Sequence, residues 1–95
     1  MSQTLLSRTV RIANKRGLHA RASAKFVTLA SGLKATVRVH KVGHADNEVV
    51  GTSIMGLMML GAALGDDITI SASGEGAEDA LAAMTALVED RFGEE

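Results

Sequence analysis

The sequence predicts an α+β fold: an open-faced two-layer sandwich, in which a four-stranded antiparallel sheet carries three helices on one face in the order βαββαβα. Several short segments alternate apolar and polar residues, the mark of strands that are wet on one side. Other segments space their apolar residues by three and four, as amphipathic helices do. The 95 residues allow one domain, taken as 1–95, and no linker, repeat or low-complexity run divides them.

The elements follow in chain order. Between Leu6 and Ala13, the residues Leu6, Val10 and Ile12 share one face, interrupted by Arg8, and Ser7, Thr9 and Arg11 share the other. Asn14-Lys15-Arg16-Gly17 has the chemistry of a loop. From His19 the spacing turns helical, with Ala22, Phe26, Leu29, Ala30 and Leu33 in one stripe and Gly32 placed to stop it. Ala35, Val37 and Val39 alternate with Thr36, Arg38 and His40 as a second strand. The polar stretch Lys41–Glu48 is a hairpin turn into a short strand at Val49 and Val50. Thr52–Leu60 forms a short helix opened by a hydroxyl cap, and Gly61–Asp67 connects it to a strand through Ile68, Ile70 and Ala72. Ala77, Leu81, Met84 and Val88 mark the last helix.

Composition narrows the function. A net charge of −1 and the absence of Tyr and Trp speak against nucleic acid as a partner. Without cysteine there is no thiol chemistry and no zinc ribbon. The longest apolar stretch, Ile54–Leu64, is too short to span a bilayer, and the first residues lack a signal pattern, so a cytoplasmic protein without membrane insertion is expected. His40 and His44 fall in or beside the hairpin and are expected in solvent, and no set of metal ligands can be placed. Asp66-Asp67 reads as a turn element, and Gly74-Glu75-Gly76 matches no phosphate loop.

His19 is the candidate for chemistry. It stands where a loop ends and a helix begins, with Gly17 two residues before it and Arg21 two residues after. A helix start presents unpaired N–H groups and the positive end of the helix dipole, which together suit phosphate. A neutral imidazole there can attack a phosphoryl donor, and Arg21 adds a charged hydrogen-bond donor for the phosphoryl oxygens. On spacing alone, a helix cap or a solvated histidine accounts for His19 equally well.

Three segments decide between these. Gly17-Leu18-His19-Ala20-Arg21 resembles the active-site motif of the HPr phosphocarriers of the bacterial phosphoenolpyruvate-dependent phosphotransferase system. Ser53-Ile54-Met55-Gly56-Leu57-Met58, followed by Leu60-Gly61, resembles the family's regulatory-serine segment. Asp67 to Gly74, Asp-Ile-Thr-Ile-Ser-Ala-Ser-Gly, resembles its last strand. The resemblance implies a carrier rather than an enzyme with its own substrate. His19 accepts a phosphoryl group on Nδ1 from enzyme I, Arg21 binds that group, and an enzyme IIA domain receives it. It also implies regulatory phosphorylation of Ser53 by HPr kinase/phosphorylase, docking through Ala20, Lys25, Ile54, Met55 and Met58, and no cofactor. Leu57 and Leu60 are left for the core, and Lys15, Arg16, Arg21 and Lys25 form a basic collar. A monomer suits such face-to-face docking. The serine also has a plain structural role as a helix cap. Two features depart from the family: Ala22 stands where a proline is usual, and the Lys41–Asn47 stretch is longer than the usual turn. The competing functions are a small-molecule-binding regulatory domain, and a protein-binding module controlled by Ser53 phosphorylation. Within the carrier class, sugar uptake competes with a nitrogen-related relay.

Overall fold

The computed structural model describes residues 5–94. In order, it contains β1 (Leu5–Arg11), α1 (Ala20–Ser31), β2 (Thr36–Lys41), β3 (Val49–Val50), α2 (Ile54–Met59), β4 (Asp67–Ser73) and α3 (Ala77–Glu89). Short 3₁₀ turns cover Ala45–Asn47 and Arg91–Gly93. The order is the expected βαββαβα. All pairings are antiparallel, and the strands lie side by side as β1-β4-β2-β3.

Register explains the two faces. Val10 opposes Ile68, Val37 opposes Ala72 and Val39 opposes Ile70, and all six are buried beneath the helices. Ser7, Thr9, Arg11, Thr36 and Arg38 point the other way and are exposed, with Thr9 and Thr69 joined by a 3.0 Å hydroxyl contact across the strands. Arg8 shares the core face, opposite Ile70, yet is exposed. β1 is an edge strand, where a long side chain can carry its charge to water. α3 lies over β1 and β4, while α1 packs against α2 and α3. Phe26, from the middle of α1, is fully buried where these layers meet.

Some boundaries differ from the sequence reading. β1 ends at Arg11, and Ile12 lies beyond it, exchanging hydrogen bonds with the loop at Asp66 and Gly65. Leu29 and Leu33 are only half-buried, because the buried line of α1 runs through Ala22, Ser23, Phe26 and Ala30. His40, expected in solvent, has only 18% of its side chain exposed, with Nδ1 3.7 Å from Glu48. The loop after β2 folds back and brings the carboxylate to it. His44 is exposed, as expected.

The chain end was not anticipated. After α3, Arg91 and Phe92 adopt left-handed backbone angles, with φ of 58° and 55°. Each costs roughly 1–2 kcal/mol for an L-residue. Phe92 is 1% exposed, and burying such a side chain contributes about 1.5–3 kcal/mol. The two terms are of similar size, so the aromatic anchor is what holds the turn in place.

Candidate functional site

The loop before α1 is fixed at several points. Gly17 has φ +61° and is buried, and a Cβ there would meet the Ala62 carbonyl oxygen and lie 2.8 Å from Ala63 Cα. Leu18 donates its N–H to the Ala62 carbonyl at 3.0 Å. The buried Asn14 side chain donates to the Gly17 carbonyl at 2.8 Å, and Ser23 Oγ donates to the Leu18 carbonyl at 3.1 Å. Glycine, asparagine and serine each serve here for a distinct reason: a left-handed angle, a side-chain amide donor, and a small hydroxyl that fits beneath the helix.

His19 is the N-cap of α1, in extended backbone geometry. Its Nδ1 accepts the Arg21 N–H at 3.3 Å, and its carbonyl accepts the Ser23 N–H at 2.9 Å. Helix geometry leaves the N–H groups of Ala20 and Ala22 without partners inside the helix. On the other side of the ring, Nε2 lies 2.7 Å from Oε2 of Glu94. A carboxylate requires a proton on Nε2, and a backbone N–H requires a lone pair on Nδ1. Both contacts therefore fit the same neutral tautomer. The imidazole is only 17% exposed and Glu94 19%.

Glu94 is itself held. Asn14 Nδ2 donates to its Oε1 at 3.1 Å, and Lys25 Nζ donates to the Phe92 carbonyl at 2.6 Å. Burial pushes the Glu94 carboxyl pKa up, but the hydrogen bonds from Asn14 and His19 and the positive charge nearby outweigh it, leaving the pKa below the ordinary glutamate value.

Arg21 lies in the first turn of α1, two residues from His19, and is exposed, as is Ala20. Ala22, where the family has proline, is fully buried, and α1 nevertheless begins at Ala20. Lys25 is exposed, and its amine is tied to the Phe92 carbonyl, so it does more than line a surface. Ile54, Met55 and Met58 are 40%, 69% and 42% exposed, and Met59 joins them at 79%. Leu57 is fully buried and Leu60 half-buried. Ala62, just beyond α2, touches the His19 loop, so the apolar surface and the histidine belong to connected segments.

Ser53 caps α2, accepting the Gly56 N–H at 3.0 Å. Ser53→Ala should therefore cost about 1 kcal/mol, whereas Ser53→Asp, itself a good cap, should cost little. Urea denaturation of both variants checks this.

Among the described residues, no group of three or more His, Cys, Asp or Glu side chains is arranged to hold a metal. A surface groove lined by Lys41, His44, Asn47, Met59 and Leu60 includes none of the residues around His19. Asp66 acts in its turn by accepting the Ala63 N–H at 2.9 Å, while Asp67 pairs with Arg11 at 3.0 Å. Among the described residues, no helix is long and apolar enough to cross a membrane. Sequence reasoning missed Glu94, Asn14 and Phe92 as parts of the site. Glu94 lies 75 residues from His19, and the single cue to it was the second of the chain's two phenylalanines, set just after the last helix.

Comparison with known proteins places the chain in a family. Residues 6–90 match the family model of the PTS HPr component phosphorylation site. Phosphocarrier protein HPr of Neisseria meningitidis is 47% identical over 90 residues, covering 95% of this chain and 98% of that protein. Phosphocarrier protein NPr of Shewanella violacea is 40% identical over 91 residues, covering 96% and 97%. The crystal structure of HPr from Thermoanaerobacter tengcongensis superposes with a TM-score of 0.86 at 41% identity, covering 95% of this chain and 98% of that one. With the fold, the motif and relatives over nearly its whole length in agreement, the chain belongs to the HPr family of phosphotransferase-system phosphocarriers.

Proposed function

We propose that this chain, acting as one cytoplasmic domain over residues 1–95, accepts a phosphoryl group from phosphorylated enzyme I on Nδ1 of His19 and delivers it to an enzyme IIA domain. The observation that carries this is the bare Nδ1 at the start of α1, kept so by the Arg21 N–H on one side of the ring and Glu94 on the other. The Nδ1 lone pair forms a bond to phosphorus, and the bond from phosphorus to the donor breaks with its electron pair leaving on the donor. No proton has to move, because Nε2 already carries it. The phosphoryl oxygens then replace Nδ1 as acceptors for the Arg21 N–H, and the exposed Arg21 guanidinium is free to swing onto them. Delivery reverses these steps.

A carrier must let go. Each 1.4 kcal/mol or so of added product stabilisation shifts the equilibrium about tenfold toward retention. One arginine and a few helix-start amides suit this better than a closed cage. Ala20, Ile54, Met55 and Met58 supply the docking face, where flexible methionines adapt to more than one partner. One copy of the chain contains every one of these groups. Phosphorylation of Ser53 by HPr kinase/phosphorylase would place a dianion beside that face and weaken docking to acidic partners.

The test is incubation with enzyme I and phosphorus-labelled phosphoenolpyruvate. The expected product is one acid-labile, base-stable phosphoryl group per chain; an unlabelled chain would sink the assignment. The match to a phosphocarrier named NPr supports a second reading, a nitrogen-related relay that ends on a regulatory enzyme IIA rather than in sugar uptake. Transfer assays with each class of enzyme IIA separate the two.

A further inference from the structure

The chain end places a carboxylate against the ring nitrogen that the transfer reaction leaves untouched. Glu94 Oε2 lies 2.7 Å from His19 Nε2, while Oε1 is steadied by Asn14 at 3.1 Å. The segment bearing it is pinned twice more, by the buried Phe92 ring and by Lys25 on the Phe92 carbonyl. Two left-handed residues, Arg91 and Phe92, turn the chain back toward α1 to make this contact. A surface glutamate needs none of these supports, and their convergence on one imidazole nitrogen calls for a role.

We propose that Glu94 is a positioning residue for phosphoryl transfer: it holds the proton of His19 on Nε2, keeps Nδ1 bare, and balances the charge of the ring once Nδ1 is phosphorylated. The second part rests on the carrier function proposed above; the first does not. Before transfer the ring is neutral, with its proton on Nε2. After Nδ1 bonds to phosphorus, that proton remains and the ring carries a formal positive charge beside the Glu94 carboxylate. A carboxylate that accepts from one imidazole nitrogen fixes the tautomer and stabilises the cation that forms when the other nitrogen reacts. Glu94 therefore favours the loaded carrier over the empty one and helps set how readily the phosphoryl group passes on.

Two measurements test this on the full chain. Long-range proton–nitrogen NMR of the unphosphorylated protein reads which ring nitrogen carries the proton. Wild type should be protonated at Nε2 and bare at Nδ1, Glu94→Ala should become a mixture, and Glu94→Gln, which retains an accepting oxygen, should stay like wild type. The second measurement is the equilibrium of phosphoryl exchange with enzyme I. Glu94→Gln and Glu94→Ala should both shift it toward the empty carrier, by about two- to fivefold, the range for a partly exposed charge pair. An unchanged imidazole spectrum in Glu94→Ala overturns the tautomer role, and an unchanged equilibrium in Glu94→Gln overturns the charge role. The carrier function itself fails if wild type takes no label, so the two failures are distinct. Thermal melts of both variants should match wild type closely, because Phe92 and Lys25 still anchor the segment.

Discussion

His19→Ala should take no acid-labile phosphoryl group from enzyme I, against one per chain in wild type. The loss should be complete because His40 and His44 stand in the β2–β3 hairpin, outside the loop and helix start that present His19. The substitution also removes the N-cap of α1, so a fall in stability of about 0.5–1 kcal/mol is expected, the lower half of the usual range for a cap whose hydrogen bond is long. In a domain of this size that lowers the melting temperature by about 2–8 °C. His19→Asn separates the two roles, since asparagine caps helices well but cannot carry phosphate. It should melt near wild type and remain unlabelled. Label on either variant, measured on protein shown to be folded by circular dichroism, would move the acceptor away from His19.

Gly17→Ala should destabilise the protein by about 2–5 kcal/mol. Roughly 1–2 kcal/mol comes from placing an L-residue at φ +61°. A further 1–3 kcal/mol or so comes from the new methyl group, which has backbone rather than a flexible side chain in its way. Gly43→Ala is the control, because its φ is +91° and a Cβ there meets nothing within 4 Å. It should show the backbone cost alone. The collision at Gly17 can be relieved only by moving the loop from Ala62, and His19 is two residues along that loop. Phosphoryl transfer should therefore slow more than stability falls, since misplacement of a reacting atom by about 1 Å can cost a factor near 100. Equal losses in urea midpoint for the two variants would show that the contact with Ala62 does not constrain the loop.

The His19 end of the candidate site was legible because its pattern is local. Gly17, His19 and Arg21 lie within five residues, and the start of a helix is marked by the change from a period of two to one of three and four. Ser53 was legible for the same reason, as a hydroxyl before a short apolar run. The fold followed from alternation: Val37 and Val39, or Ile68 and Ile70, can face one way only if the strand is half-buried. What stayed hidden depends on long-range closure. Asn14 read as an ordinary turn residue, and its burial arises because the chain end folds over it. The left-handed pair Arg91-Phe92 breaks the usual preference of L-residues, so local rules point away from it. Nothing near His40 announced that Glu48 would fold back beside it.

The strand order has a consequence for how the molecule comes into being. β4 is the central partner of both β1 and β2, yet it is the last strand in the chain. As the polypeptide leaves the ribosome, β1 has no neighbour until β4 begins at Asp67, which pairs with Arg11, and the ladder closes only at Ser73 opposite Leu5. Until then the β2–β3 hairpin is the one strand pairing available, and it joins just two residue pairs. Assembly must then wait for contacts far apart in sequence, which places folding on a slower timescale than that of a helical bundle of equal length. The helix start that bears His19 is made early, but the strand and chain end that complete its surroundings come last.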